Sequence, residues 1–205
     1  MDSNIAVVFD LGNVLLPINL ELTYSAFARF TEYFSAQEVQ YITETEGLWV
    51  PYESGLETCS EFRDRLRARF QLECTDSEFD FAFSALLLEF PVDVVSLLQE
   101  VKSNFPVYLL SNTSRIHSHL FLQNDSLFSL FDFVHLSYEM GVSKPDKAIY
   151  QQVIVSNQLQ NKRIVFFDDN KFNVQSAREF GWDAILIDPT NSFSQVRNYL
   201  QQYVN

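Results

Sequence analysis

Glycine is scarce in this chain, with five residues in 205, and Gly12, Gly47, Gly55, Gly141 and Gly181 are widely scattered. Neither G-x-G-x-x-G nor the P-loop pattern can be assembled from them, so dinucleotide binding and P-loop nucleotide hydrolysis lose their main signatures. Cysteine is scarcer still: Cys59 and Cys74 are alone and read as half-buried thiols. With only three histidines (His117, His119, His135), no zinc spacing exists, and His117 and His119 fall on different sides of a helix. Basic residues are few as well. Fourteen Lys and Arg against 27 Asp and Glu give a net charge of −13, which argues against nucleic-acid and anionic-membrane partners. That balance says little about small phosphorylated substrates, because one local lysine and a cation can override the global field. No apolar run approaches the about 20 residues of a membrane helix. No charged N-terminal segment precedes an apolar stretch, so the expected setting is soluble, reducing and cytoplasmic. Repeats, low-complexity tracts and Pro/Ser-rich linkers are absent too.

What is present is apolar bulk. Hydrophobic residues make up 47% of the chain and include 20 phenylalanines, enough for a sizeable core. Five short runs, IAVVF (5–9), VYLL (107–110), FVHLS (133–137), RIVFF (163–167) and AILI (184–187), read as strands buried on both faces. Helical patterns over 94–104, 114–123, 147–158 and 172–180 alternate with the last four, which implies a Rossmann-like, doubly wound α/β sheet. Residues 17–90 break that rhythm. They hold helical patterns only, among them ELTYSAFARFTEYF, CSEFRDRLRARF and DSEFDFAFSALLLEF, with a capping box at Thr58 and Glu61 and a turn at 53–55. The expected organisation is an α/β core of 1–16 and 91–205 with an inserted all-helical cap of 17–90.

Four polar signals each follow a strand-like run: Asp10-Leu11-Gly12-Asn13, Ser111-Asn112, Lys144-Pro145 and Asp168-Asp169-Asn170. Strand carboxyl ends are where open α/β sheets bind ligands. Taken singly, each admits two readings. Asp10 is an attacking carboxylate or a helix cap, with Gly12 allowing a tight turn. Asp168 and Asp169, adjacent like charges, call for a compensating cation such as Mg²⁺ or form a solvated turn. Ser111 is a hydrogen-bond donor to a phosphoryl oxygen or an N-cap, and Lys144 is an anion binder or a surface lysine. Together, and in this order, they suit holding a phosphate beside a divalent cation while a carboxylate attacks it.

The wording of these signals resembles the haloacid dehalogenase-like (HAD) hydrolases: FDLGNVLL, LLSNTS, GVSKPDKAIY and VFFDDNKFNVQSAREFG look like the four motifs in order. DLGN, SNT and FFDDNxxN are similar to the sugar-phosphate phosphatase branch typified by bacterial α-glucose-1-phosphatase. More distantly, they resemble the phosphatase domain of soluble epoxide hydrolase. The resemblance implies a C1-type cap and Asp10 as nucleophile. It implies Ser111 and Lys144 as phosphate binders, with Asn112 nearby in the substrate site. The Mg²⁺ ligands would be Asp10, the Gly12 carbonyl, Asp169 and, directly or through water, Asp168.

One position departs from most phosphatases of the family, which carry an acid–base aspartate where Gly12 stands. General acid–base help is worth roughly 10²–10⁴-fold, so its loss slows turnover without abolishing it. The favoured reading is a Mg²⁺-dependent phosphatase of a small phosphorylated metabolite, a sugar phosphate first. The alternative is a catalytically weakened phosphate-binding or regulatory relative. A mutase would need the missing aspartate, a dehalogenase would not need the Asp168-Asp169 pair, and a signalling receiver domain has its acidic pair first in the chain and no large insert. Crevice-facing cap residues are expected in Ile18 to Tyr24 and around Trp49, Tyr52 and Glu53. Nothing in the sequence fixes an oligomeric state.

Overall fold

The computed structural model describes residues 4–204. Five strands, β1 (Ile5–Phe9), β2 (Val107–Ser111), β3 (Phe133–Leu136), β4 (Arg163–Asp168) and β5 (Asp183–Leu186), form one sheet of order β3-β2-β1-β4-β5. Every neighbouring pair is parallel. Residues 5–9 of β1 are all buried, because a parallel sheet covered on both faces has no solvent side. Alternation along β1 divides the core in two. Ile5, Val7 and Phe9 join Leu97, Leu98, Phe121 and Val196 on one face, while Ala6 and Val8 join Ile149, Tyr150, Val153 and Ala177 on the other.

The covering helices on the first face are α6 (Val94–Lys102), α8 (Asp125–Phe128) and α12 (Ser192–Leu200). On the second face lie α10 (Lys147–Ser156) and α11 (Lys171–Phe180), whose C-terminal Gly181 is left-handed at φ 104°. Helices α7 (Arg115–Phe121) and α9 (Ser137–Met140) follow β2 and β3. The resulting α/β sheet is the Rossmann-like arrangement the strand pattern implies. Its β5 lies one residue earlier than AILI suggests, starting at Asp183, which pairs with Arg163 across to β4.

Between β1 and α6 the described elements are helical apart from two isolated bridges, Gly12 to Leu16 and Ile18 to Leu87. They are α1 (Leu20–Phe27), α2 (Ala36–Glu46), α3 (Val50–Glu53), α4 (Cys59–Phe70) and α5 (Asp76–Ser84). Helix α1 is shorter than its pattern, passing into a 3₁₀ turn at Ala28–Phe30, where Phe30 O accepts from Glu73 N at 2.8 Å. Sequence reading passed over α2 because it buries only Val39 and Thr43, yet its Ser35–Glu38 capping box was legible. Thr58 and Glu61 do close the box expected at α4. These helices enclose an aromatic cluster in which Tyr52 stacks on Phe62 at 4.2 Å, and Phe27, Trp49, Phe62 and Phe79 surround Phe83.

The turn 53–55 presses this helical block onto the core. Gly55, at φ 70°, has no alternative residue, since a Cβ there would stand 2.2 Å from Tyr138 O. Ser54 Oγ meets Ser143 Oγ at 2.8 Å, the Tyr52 hydroxyl accepts from Ile116 N at 3.2 Å, and Ser137 Oγ donates to Glu53 O at 2.5 Å.

Candidate active site

Each polar signal sits where its strand stops. The ladder holding β1 between β2 and β4 places Asp10 beside Asp168: Asp10 N donates to Phe167 O at 2.8 Å, and Phe9 pairs with Phe167. Oxygens of Asp10, Asp168 and Asp169 lie within 4.8 Å of one another. Lys144 comes from the loop after β3 and is 4% exposed. Its Nζ donates at 2.8 Å to Asp10 Oδ1, at 2.8 Å to Asp168 Oδ2 and at 2.9 Å to Leu110 O. A lysine inside a protein needs such partners, so Lys144 is no surface lysine.

Asp168 is wholly buried. Besides Lys144, it accepts from Asn170 N at 2.8 Å and from Asn173 Nδ2 at 3.2 and 3.1 Å. Asn173, on the first turn of α11, was quoted in a motif but given no role by sequence reading. Its signal was its place three residues after Asn170, on the side of the helix that turns back to the strand end. Asp169, partly exposed, accepts from Asn13 Nδ2 at 2.9 Å. The left-handed residue of the motif I turn is Asn13 (φ 58°) rather than Gly12; asparagine is among the few non-glycine residues that tolerate this region.

Ser111 is buried, and among the described residues its hydroxyl makes one long 3.5 Å contact, with Asn112 O, which leaves it available to a ligand. The Asn112 amide is paired with the Lys144 backbone: its Nδ2 donates to Lys144 O at 2.8 Å and its Oδ1 accepts from Lys144 N at 2.9 Å. The amide thereby fixes the backbone that carries Lys144. Gly12 offers its carbonyl and no side chain. The space a Cβ would fill is bounded by Ile18 Cδ1 at 3.3 Å. In the helical block, Tyr24 and Tyr52 are each 2% exposed and serve packing rather than offering free rings.

Charge follows from burial. Burial pushes the Asp10 carboxyl up to about 7 against the pull of Lys144, with Asp168 and Asp169 adding to the rise. Lys144 feels the same burial in the opposite sense, but Asp10 and Asp168 overcome it and hold the ammonium above its ordinary value. Asp169 is also raised, first by burial, with the Asn13 hydrogen bond opposing. Burial alone raises Glu53, at the end of α3, to about 7. Three carboxylates against one ammonium leave the cluster with surplus negative charge and hard oxygen donors, a set that fits Mg²⁺.

A family model described as haloacid dehalogenase-like hydrolase matches residues 7–187, and the chain belongs to that family of hydrolases. Among its relatives is D-ribitol-5-phosphate phosphatase of Bacteroides thetaiotaomicron, 24% identical over 86% of this chain and 88% of that protein. Drimenol cyclase drtB of Aspergillus calidoustus is 29% identical over 88% of this chain, which spans only 33% of the cyclase. A HAD family enzyme from Bacteroides thetaiotaomicron, solved with magnesium and inorganic phosphate, superposes with a TM-score of 0.82 at 27% identity, covering 93% of this chain and 98% of that one. Among the described residues, no helix is long and apolar enough to cross a membrane.

Proposed function

We propose that the chain is a Mg²⁺-dependent phosphomonoesterase acting on a small sugar or polyol phosphate through an aspartyl-phosphate on Asp10. The observation that carries this reading is the buried Lys144 ammonium shared by Asp10 and Asp168 within a three-carboxylate cluster. The relative that hydrolyses D-ribitol 5-phosphate and the neighbour holding magnesium and phosphate support it.

Asp10, the Gly12 carbonyl, Asp169 and, directly or through water, Asp168 would hold the cation, which when bound neutralises charge on the transferring phosphoryl group. Oδ1 of Asp10 is taken by Lys144, so Oδ2 is the oxygen that attacks phosphorus. The Asp10–phosphorus bond forms as the bond to the leaving oxygen breaks. Ser111 binds a phosphoryl oxygen; Lys144, on giving up one of its three present hydrogen bonds, binds another and screens the carboxylate from the anionic substrate. Water then attacks phosphorus, the acyl-phosphate bond breaks, and Asp10 returns as a carboxylate while phosphate leaves. Gly12 supplies no proton to the leaving oxygen, so leaving groups that are stable as alkoxides depend least on this gap.

The core of 1–16 and 91–205 and the cap of 17–90 are proposed as the two domains. The separate aromatic cluster of the helical block supports that division. Residues 1–3 and 205 of those ranges lie outside the described residues. Ile18, covering Gly12, favours a second reading, a phosphate-binding regulatory protein with weak turnover.

Phosphate release from sugar phosphates, polyol phosphates and p-nitrophenyl phosphate, with Mg²⁺ or EDTA, separates the two. The phosphatase reading expects metal-dependent turnover that Asp10→Asn lowers roughly 10⁴-fold or more. Folded protein that binds phosphate and turns over nothing across the panel would transfer the assignment to the regulatory reading.

A further inference from the structure

Asn13 makes two side-chain hydrogen bonds that run in opposite directions. Its Nδ2 donates to Asp169 Oδ2 at 2.9 Å, and its Oδ1 accepts from Ile18 N at 3.2 Å. The first partner is at the end of β4. The second is in the ribbon where the chain leaves the core for the helical block.

That ribbon is double. Ile18 bridges Leu87, Asn19 N donates to Leu86 O at 2.8 Å, and Leu88 N donates to Pro17 O at 3.2 Å, so the outgoing and returning segments are tied to each other. Asn13, Pro17 and Pro91 also line a common cavity of about 250 Å³ beside them. One amide thus joins a carboxylate of the acidic cluster to both segments that connect the helical block to the sheet.

We propose that Asn13 is a positioning residue that orients Asp169 for the cation and couples cation occupancy to the ribbon at Ile18 and Leu87. The inference rests on the Mg²⁺ reading of the cluster. An asparagine suits the task for two reasons. It tolerates the left-handed backbone of this turn, and its amide donates to a carboxylate while accepting from a peptide N–H. A carboxylate that keeps its orientation through such a bond loses less freedom when a cation binds, and removing such an outer partner typically lowers metal affinity about 10–100-fold.

Asn13→Gly keeps the backbone conformation and deletes only the amide, so the variant folds without strain at this turn. Two readouts are taken on the whole chain: Mg²⁺ affinity by calorimetry, and hydrogen exchange at the amides of Ile18 and Asn19 with and without Mg²⁺. The expected result is Mg²⁺-dependent slowing of exchange at Ile18 in wild type. In Asn13→Gly, Mg²⁺ affinity falls roughly 10-fold or more and that slowing disappears, with little change in Tm. Mg²⁺ binding by wild type, combined with affinity within about twofold in the variant or with slowing that survives the substitution, would overturn the coupling alone. No Mg²⁺ binding by wild type would overturn the Mg²⁺ reading and the coupling together.

Discussion

The sheet and the helical block are both well packed, yet they solve opposite problems. At the strand ends, charge is buried. Asp168 and Lys144 lie out of water, and each is held by several hydrogen bonds fixed by the parallel ladder. In the helical block the charge stays near the surface, as in Arg63–Asp80, Arg65–Glu57 and Arg69–Glu46, and the interior is aromatic. A ladder sets backbone positions firmly enough for polar atoms to meet at fixed distances. Aromatic packing tolerates more variation in position, and exposed ion pairs add little, typically under about 1 kcal/mol each. The lesson is that the core can hold polar atoms at fixed distances, whereas the block is held by apolar packing that asks less of exact position.

The sharpest way to break this contrast is Lys144→Met. Loss of the ammonium leaves Asp10 and Asp168 buried and facing each other, so activity should fall about 10²–10³-fold or more. The cation-free protein should also lose roughly 3–5 kcal/mol of stability, and added Mg²⁺ should restore part of it. Steady-state kinetics and chemical denaturation check both; a variant that keeps wild-type turnover would remove Lys144 from the site. On the other side, Phe83→Ala empties the centre of the aromatic cluster, where Phe83 is wholly buried against Phe27, Phe62, Trp49 and His117. A cost of roughly 3–5 kcal/mol is expected, read as a thermal midpoint about 10 °C lower.

Acid sharpens the comparison, because one neutral histidine of the core, His117 on α7, faces the aromatic cluster, and another, His135, lies in the sheet. His117 stacks on Phe83, and its Nε2–H donates to Phe83 O at 3.0 Å; His135 on β3 meets Asn157 at 2.6 Å. Burial lowers each from 6.5 to about 4, with those hydrogen bonds opposing. Between these values each ring binds more protons unfolded than folded, whereas Asp10 and Glu53, raised to about 7, do the reverse. The contribution of the two rings to stability is therefore full above about pH 6.5 and falls toward pH 4, by up to roughly 3 kcal/mol per ring. Denaturation midpoints across that window in His117→Asn and His135→Asn apportion the loss; a pH slope in both variants identical to that of wild type contradicts both assignments. The smallest effect is Ser54→Ala, which removes the Ser143 contact between block and core. About 1 kcal/mol is expected, and protease sensitivity of the helical block should rise while Mg²⁺ affinity stays unchanged.

Legibility in the sequence followed the same division. The strands were readable almost to the residue, since continuous apolar runs bounded by polar signals have few other uses. Asp10, Ser111 and the Asp168–Asp169 pair stand out because they fall at the ends of such runs, and Lys144 because it precedes Pro145 in a loop beyond β3; that Asp10, Lys144 and Asp168 meet is seen only in the fold. Helix α2 was passed over for want of an apolar stripe, although its cap was in plain view. The cap aromatics were legible as residue types, but whether Tyr24 and Tyr52 faced the crevice or the cluster was not.

By itself, then, the sequence determined the α/β class, the order of the polar signals and the absence of an acid at position 12. These are local properties of residue type and period. Tertiary structure alone decided that Lys144 bridges two carboxylates and that the Asn112 amide grips the Lys144 backbone. It also decided that Asn13, not Gly12, takes the left-handed turn and reaches Asp169. Each of these contacts joins residues far apart in the chain, and their distances are set by the order in which the strands lie side by side.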